Sequence, residues 1–241
     1  MKRAFLLEMT IFRDYARQLV GLGLLVSLCI GLGIQTPIAM PATLTCMFFM
    51  MSAMGLAAYD QLNHWELFRL TLPLSRRDVV LGRYAAIVTF GLLGMVVGIV
   101  AAVAATAVVS AVGLPGEVGE AFAFDPDMLS VMAVVTCLTL LIGAVVASIV
   151  TPLYFRLGQT RATQILPTVI VLLLVVPVAV LGNSGMLDGG IPGMELVSAA
   201  LEALDTPAGM AVGCVVLVAL SAVALAISAA VSLKLYEQRE L

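Results

Sequence analysis

Six stretches of this 241-residue chain, at about 18–36, 39–58, 84–112, 129–153, 165–182 and 209–233, contain no Asp, Glu, Lys, Arg or His. A helix of about 20 apolar residues crosses roughly 30 Å of hydrocarbon, so each stretch is long enough to span a bilayer. The fold class that follows is an all-α integral membrane protein with six transmembrane helices. Composition agrees: 62% of residues are hydrophobic, 11% are charged and mean hydropathy is +1.13, against about a quarter charged in soluble domains. The whole chain, 1–241, reads as one transmembrane domain.

The net charge of −3 carries less information than the side on which each charge lies. Lys2, Arg3, Arg13 and Arg17 precede span one; Arg69, Arg76, Arg77 and Arg83 lie between spans two and three. Arg156 and Arg161 lie between spans four and five, and Lys234 and Arg239 follow span six. All twelve cations therefore share one side of a six-span arrangement. The opposite loops hold only acids: Glu117, Glu120, Asp125, Asp127, Asp188, Glu195, Glu202 and Asp205. The positive-inside rule predicts that the cationic side and both termini are cytoplasmic. A five- or seven-span count would scatter the segregation.

Residues 1–17 are too charged to span. On a helix, Phe5, Met9, Phe12 and Ala16 share one face, with Arg3, Thr10, Arg13, Asp14 and Arg17 opposite. That pattern predicts an N-terminal interfacial amphipathic helix; Glu8, Asp14 and the immediate start of the next apolar run argue against a signal peptide. Spans one and two form a tight hairpin around Pro37 and Pro41. Span three exceeds the bilayer's requirement, leaving room for tilt or extension into water. Pro177 predicts a kink in span five. The 183–208 external loop contains IPGMELVSAALEALDTP, in which Met194, Val197, Leu201 and Leu204 share a face. It reads as an interfacial helix that closes the loop or, alternatively, as a lid over an exit pathway.

Several chemistries are excluded. Ion-coupled carriers and intramembrane proteases keep ionisable side chains at membrane depth, and these spans offer none. The single histidine, His64, lies in the break between spans two and three, so no embedded Ser/His pair can form. No GxxxxGK[ST] phosphate loop occurs. The chain is therefore not read as an enzyme, and no catalytic, cofactor-binding or metal-binding residue is assigned. Cys29, Cys46, Cys137 and Cys214 are scattered through apolar runs, as small hydrophobes are. Gly94 and Gly98, like Gly209 and Gly213, form GxxxG pairs, which support helix contact within the bundle or in a dimer.

The polar break at 59–83, YDQLNHWELFRLTLPLSRRDVVLGR, holds four arginines. Trp65, Leu67, Phe68, Leu70 and Leu72 predict a short, largely apolar helix, which Pro73 stops. Ser75 and Asp78 then have the S-x-x-D spacing of a capping box, opening the helix of span three. The segment can rest in the headgroup layer, its arginines on lipid phosphate. Alternatively, it inserts into a groove of a cytoplasmic partner. On the docking reading, Trp65, Glu66, Phe68, Arg69 and Leu72 form the contact surface. Arg76, Arg77 and Arg83 are then phosphate or rim contacts, and Ser75 and Asp78 a structural cap.

The run Tyr59-Asp60, Trp65-Glu66, Leu72-Pro73-x-Ser75-Arg76, Val80 and Arg83-Tyr84 resembles the signature segment of type-2 ATP-binding-cassette (ABC) exporter permeases, the small six-span subunits of bacterial transporters. The family often has Lys at the position of Arg83. The resemblance implies a multi-pass protein of the bacterial plasma membrane. It implies that 59–83 is a coupling segment seated on a separate cytoplasmic ABC ATPase subunit, which carries ATP and Mg. A second permease copy or paralogue and the lipid bilayer are the other expected partners, with no nucleic acid. The uncharged spans favour an amphipathic or hydrophobic substrate. A non-transporting membrane scaffold or immunity-type protein, binding a ligand or partner in the bilayer, is the alternative.

Overall fold

A computed structural model describes residues 2–62, 75–113, 116–122, 126–183 and 206–237, with side chains in the fourth segment described between 128 and 156. Every regular element in these residues is helical: α1 (Lys2–Gly33), α2 (Ala39–Leu62), α3 (Arg76–Val112), the short α4 (Glu117–Ala121), α5 (Pro126–Asn183) and α6 (Pro207–Glu237). Among the described residues, five helical segments are long and apolar enough to cross a membrane: Lys2–Gly33, Ala39–Asp60, Arg76–Val112, Met128–Arg156 and Pro207–Tyr236. The chain is an all-α integral membrane protein.

α2 is the hub, packing on α1, α3 and α5, while α6 packs on α5 and α3. Its side chains Leu44, Phe48, Phe49, Ala53 and Leu56 are buried in the main core with Phe12, Ile87, Phe90, Leu140 and Ala144. Close approach depends on glycine. A Cβ at Gly94 would lie 2.6 Å from Phe48 Cβ and 2.8 Å from the Leu44 carbonyl, and one at Gly98 would lie 2.5 Å from Pro41 Cα. The Gly94/Gly98 pair therefore packs within the bundle, against α2, where any side chain would push the backbones apart. Large apolar side chains such as Leu22, Val96, Val100, Val215 and Ile227 point outward, as they do where the solvent is lipid.

Two expected boundaries do not interrupt the backbone. Residues 2–17 continue into span one as a single helix of 32 residues, because RDYARQL contains neither proline nor glycine. Along it Ala4, Glu8, Phe12, Ala16, Leu19, Gly23, Ser27 and Gly31 are buried. The stripe through Phe12 and Ala16 thus faces protein rather than a lipid surface. Likewise, α5 is helical across the expected break between spans four and five, through 58 residues. At 1.5 Å per residue this is about 87 Å of helix, nearly three bilayer hydrocarbon thicknesses, and Gly158 is the single breaker in YFRLGQTRATQ. Pro177 also lies within it. The 183–208 loop, apart from its edges, lies outside the described residues. α3, at 37 residues, measures about 55 Å and outreaches the bilayer.

Candidate functional site: two joints on the first turns of α3

α3 begins with the predicted cap geometry. Ser75 is the N-cap, with extended backbone (φ −73°, ψ 151°). Its Oγ accepts from the Asp78 amide at 3.1 Å and donates to Asp78 Oδ2 at 2.8 Å. The Asp78 carboxylate also sits in the first turn, where the helix dipole favours a negative charge.

Two turns on, Arg83 is 4% exposed. Its Nε donates to Glu8 Oε1 at 3.2 Å, its Nη2 is 3.2 Å from the same oxygen, and Nη2 also pairs with Asp60 Oδ2. One guanidinium thus joins α1, the end of α2 and the start of α3. Gly82 makes the reach possible: a Cβ there would lie 2.9 Å from Ala4 Cβ, so α3 lies against α1 one turn from Glu8. Phe12, Tyr15, Tyr59 and Phe90 form an aromatic cluster beside the triad, with Phe12–Phe90 centroids 4.7 Å apart. Burial works against the cation, and the carboxylates of Asp60 and Glu8 offset it. It stays ionised, because a buried ion is tolerable only when paired and hydrogen-bonded.

The other side of the same turns meets α5 and α6 without an ion pair between the helices among the described residues. Val80 and Tyr84 cluster with Phe155 and Ala229. The Tyr84 hydroxyl lies 2.6 Å from Ser228 Oγ and 2.8 Å from Ser232 Oγ, and Ser228 Oγ donates to the Ser148 carbonyl at 2.6 Å. Arg76 donates to the Tyr236 carbonyl at 2.9 Å and lies over its ring, 5.7 Å from the centroid. Tyr236 packs edge-on against Phe155. These contacts put the beginning of α1, the end of α2, the start of α3, residue 155 of α5 and the end of α6 at one end of the bundle. The segregation of cations requires that arrangement.

The expected docking residues Trp65, Glu66, Phe68, Arg69 and Leu72 lie outside the described residues, between Leu62 and Ser75. Arg76 and Arg77 are exposed at its exit. Arg83 corrects the expectation of a phosphate or rim contact: its guanidinium is consumed inside the fold by two carboxylates brought from 75 and 23 residues away. Sequence reasoning gave Glu8, Asp60, Tyr84, Ser228 and Ser232 no role. A signal for Glu8 was present, since it falls four residues from both Ala4 and Phe12 and so lies on the buried stripe. Asp60, Arg83 and Tyr84 are all in the run that carries the family resemblance.

Searches of curated proteins and of solved structures found no match to the chain. The model of one family, described as ABC-2 family transporter protein, matches residues 6–237, a stretch that includes the polar break, both joints and all but the first four residues of the segments long and apolar enough to cross a membrane. An apolar helical bundle whose polar contacts gather at one end, around the ends of a short intervening segment, is thus a membrane component of a transporter rather than an ATPase: the chain belongs to the ABC-2 transporter family.

Proposed function

We propose that this chain is the permease subunit of an ATP-driven exporter. It works with a separate cytoplasmic ATPase subunit, which holds ATP and Mg, and with a second permease copy or paralogue. The observation that carries the reading is the Glu8–Arg83–Asp60 triad. Asp60 and Arg83 flank the 63–74 segment in sequence, and Arg83 ties both flanks to α1. A push on that segment would therefore move α1, α2 and α3 together instead of prising the α2–α3 pair apart. The cationic end faces the cytoplasm by the positive-inside rule. ATP-driven movement requires the ATPase to bind the two permease states unequally, since equal affinity shifts nothing. The substrate is amphipathic or hydrophobic, in keeping with uncharged spans.

Co-purification from native membrane tests it. Phe68→Asp or Leu72→Asp is expected to release the ATPase subunit while the permease still elutes as a monodisperse species. Retention of the ATPase at wild-type stoichiometry by both variants overturns the docking surface, and failure of the wild-type chain to bring down any ATPase overturns the proposal itself.

A further inference from the structure

Pro152 sits inside α5 and has no amide hydrogen, so the carbonyl four residues earlier, that of Ser148, loses its intrahelical donor. The donor comes from another helix: Ser228 Oγ of α6, at 2.6 Å. A hydroxyl has one proton, which fixes the order of the remaining bonds. With its proton on Ser148 O, Ser228 must accept from Tyr84; the Tyr84 oxygen then accepts from Ser232. The result is a directed chain, Ser232 to Tyr84 to Ser228 to the carbonyl freed by proline, running through α6, α3, back to α6 and into α5.

We propose that this chain is a latch on a proline hinge, and that the seam between α6 and its neighbours α3 and α5 is the one that opens while the ion-tied α1–α2–α3 unit stays closed. Three observations support it. Proline is a common cause of sharp helix bends, and here the bend site is held by a bond to a different helix. The side chains that α6 buries fully, Ser221, Ser228, Ala229 and Ser232, are small and mostly hydroxyls, and its larger contacts at this end, Leu225, Leu233 and Tyr236, are only partly buried, so its broad contact with α5 is made mainly by small groups. The serines also have a fallback: Ser221 already donates to its own helix, at the Leu217 carbonyl, 2.7 Å. After opening, the Ser148 carbonyl is the group that needs a new donor, which one water supplies. Arg83 has no such fallback. The latch is a property of this chain; its link to ATP rests on the exporter reading.

Distances between spin labels in lipid nanodiscs test it. Cys29, Cys46, Cys137 and Cys214 are replaced by alanine, and labels are placed on the outward-facing positions Val96 and Val216 for the α3–α6 seam, or Leu22 and Val96 for α1–α3. The unmodified latch is expected to give mainly one distance for the first pair. Ser228→Ala and Tyr84→Phe add a second, longer distance, and Ser228→Thr, which keeps the hydroxyl, restores the single one. The Leu22–Val96 distance stays fixed throughout. One unchanged distance in every variant overturns the proposal, as does lengthening of both pairs together. In the complex purified with its ATPase, a population shift on adding ATP ties the latch to the cycle. Absence of that shift, with the variant responses intact, leaves the latch standing and removes ATP as its driver.

Discussion

The two faces of α3's first turns are held by opposite kinds of chemistry. Toward α1 and α2 the contact is ionic, buried and made by one side chain with two carboxylates. Toward α5 and α6 its buried part is a row of neutral hydroxyls with alternative acceptors close by, and the one cation there, the exposed Arg76, meets a carbonyl and a ring rather than a carboxylate. The difference lies in what each leaves behind when broken. Removing one member of a buried ion group costs about 3–5 kcal/mol because the remaining charges stay buried. A hydrogen bond between membrane helices averages about 0.6 kcal/mol, since each separated hydroxyl finds another partner. A helix with one face of each kind is fixed on one side and releasable on the other.

The largest effect is expected from Arg83→Met, which leaves Glu8 and Asp60 facing each other in a buried site: a loss of about 3–5 kcal/mol, read as a large drop in yield and thermal stability of the purified protein. Arg83→Lys keeps the charge but cannot fork to two carboxylates, and is expected to recover only part of the loss. Full recovery by Lys would reduce the triad to simple charge neutrality.

Gly94→Leu asks whether ions alone hold α3 on α2. A side chain there meets Phe48 and the Leu44 backbone, so a loss of about 1–3 kcal/mol is expected from overpacking. Wild-type thermal stability would mean that the two helices are less tightly apposed than they are here. Tyr84→Phe comes next, at about 0.6 kcal/mol; a loss as large as that of Arg83→Met would erase the contrast between the two faces.

The smallest effect belongs to Asp14, an acid of the same helix as Glu8 but exposed. Arg17 and Arg13 pair with its carboxylate at the surface. Water screens both pairs, so Asp14→Asn is expected to leave the melting temperature unchanged. A measurable drop would show that burial is not what separates Glu8 from Asp14.

Much of this protein is legible before any coordinates. Hydropathy alone specifies helices in a membrane, because twenty apolar residues have no better solvent. The one-sided cations require the ends of α1, α2, α3 and α6 to meet, and Ser75 with Asp78 marks where α3 starts, because caps are local. What only the tertiary structure decided is which partners an inward charge meets. Glu8 and Asp14 are six residues apart on one helix, and helical periodicity puts only Glu8 on the stripe of Ala4 and Phe12 without naming its partner. Glu8 becomes a structural ion because Gly82 lets α3 lie against α1 and deliver Arg83, while Asp14 keeps its water. Ser148, Pro152 and Ser228 show the same limit: proline announces a missing bond, but the donor that replaces it lies 76 residues further on, and only packing brings the two together.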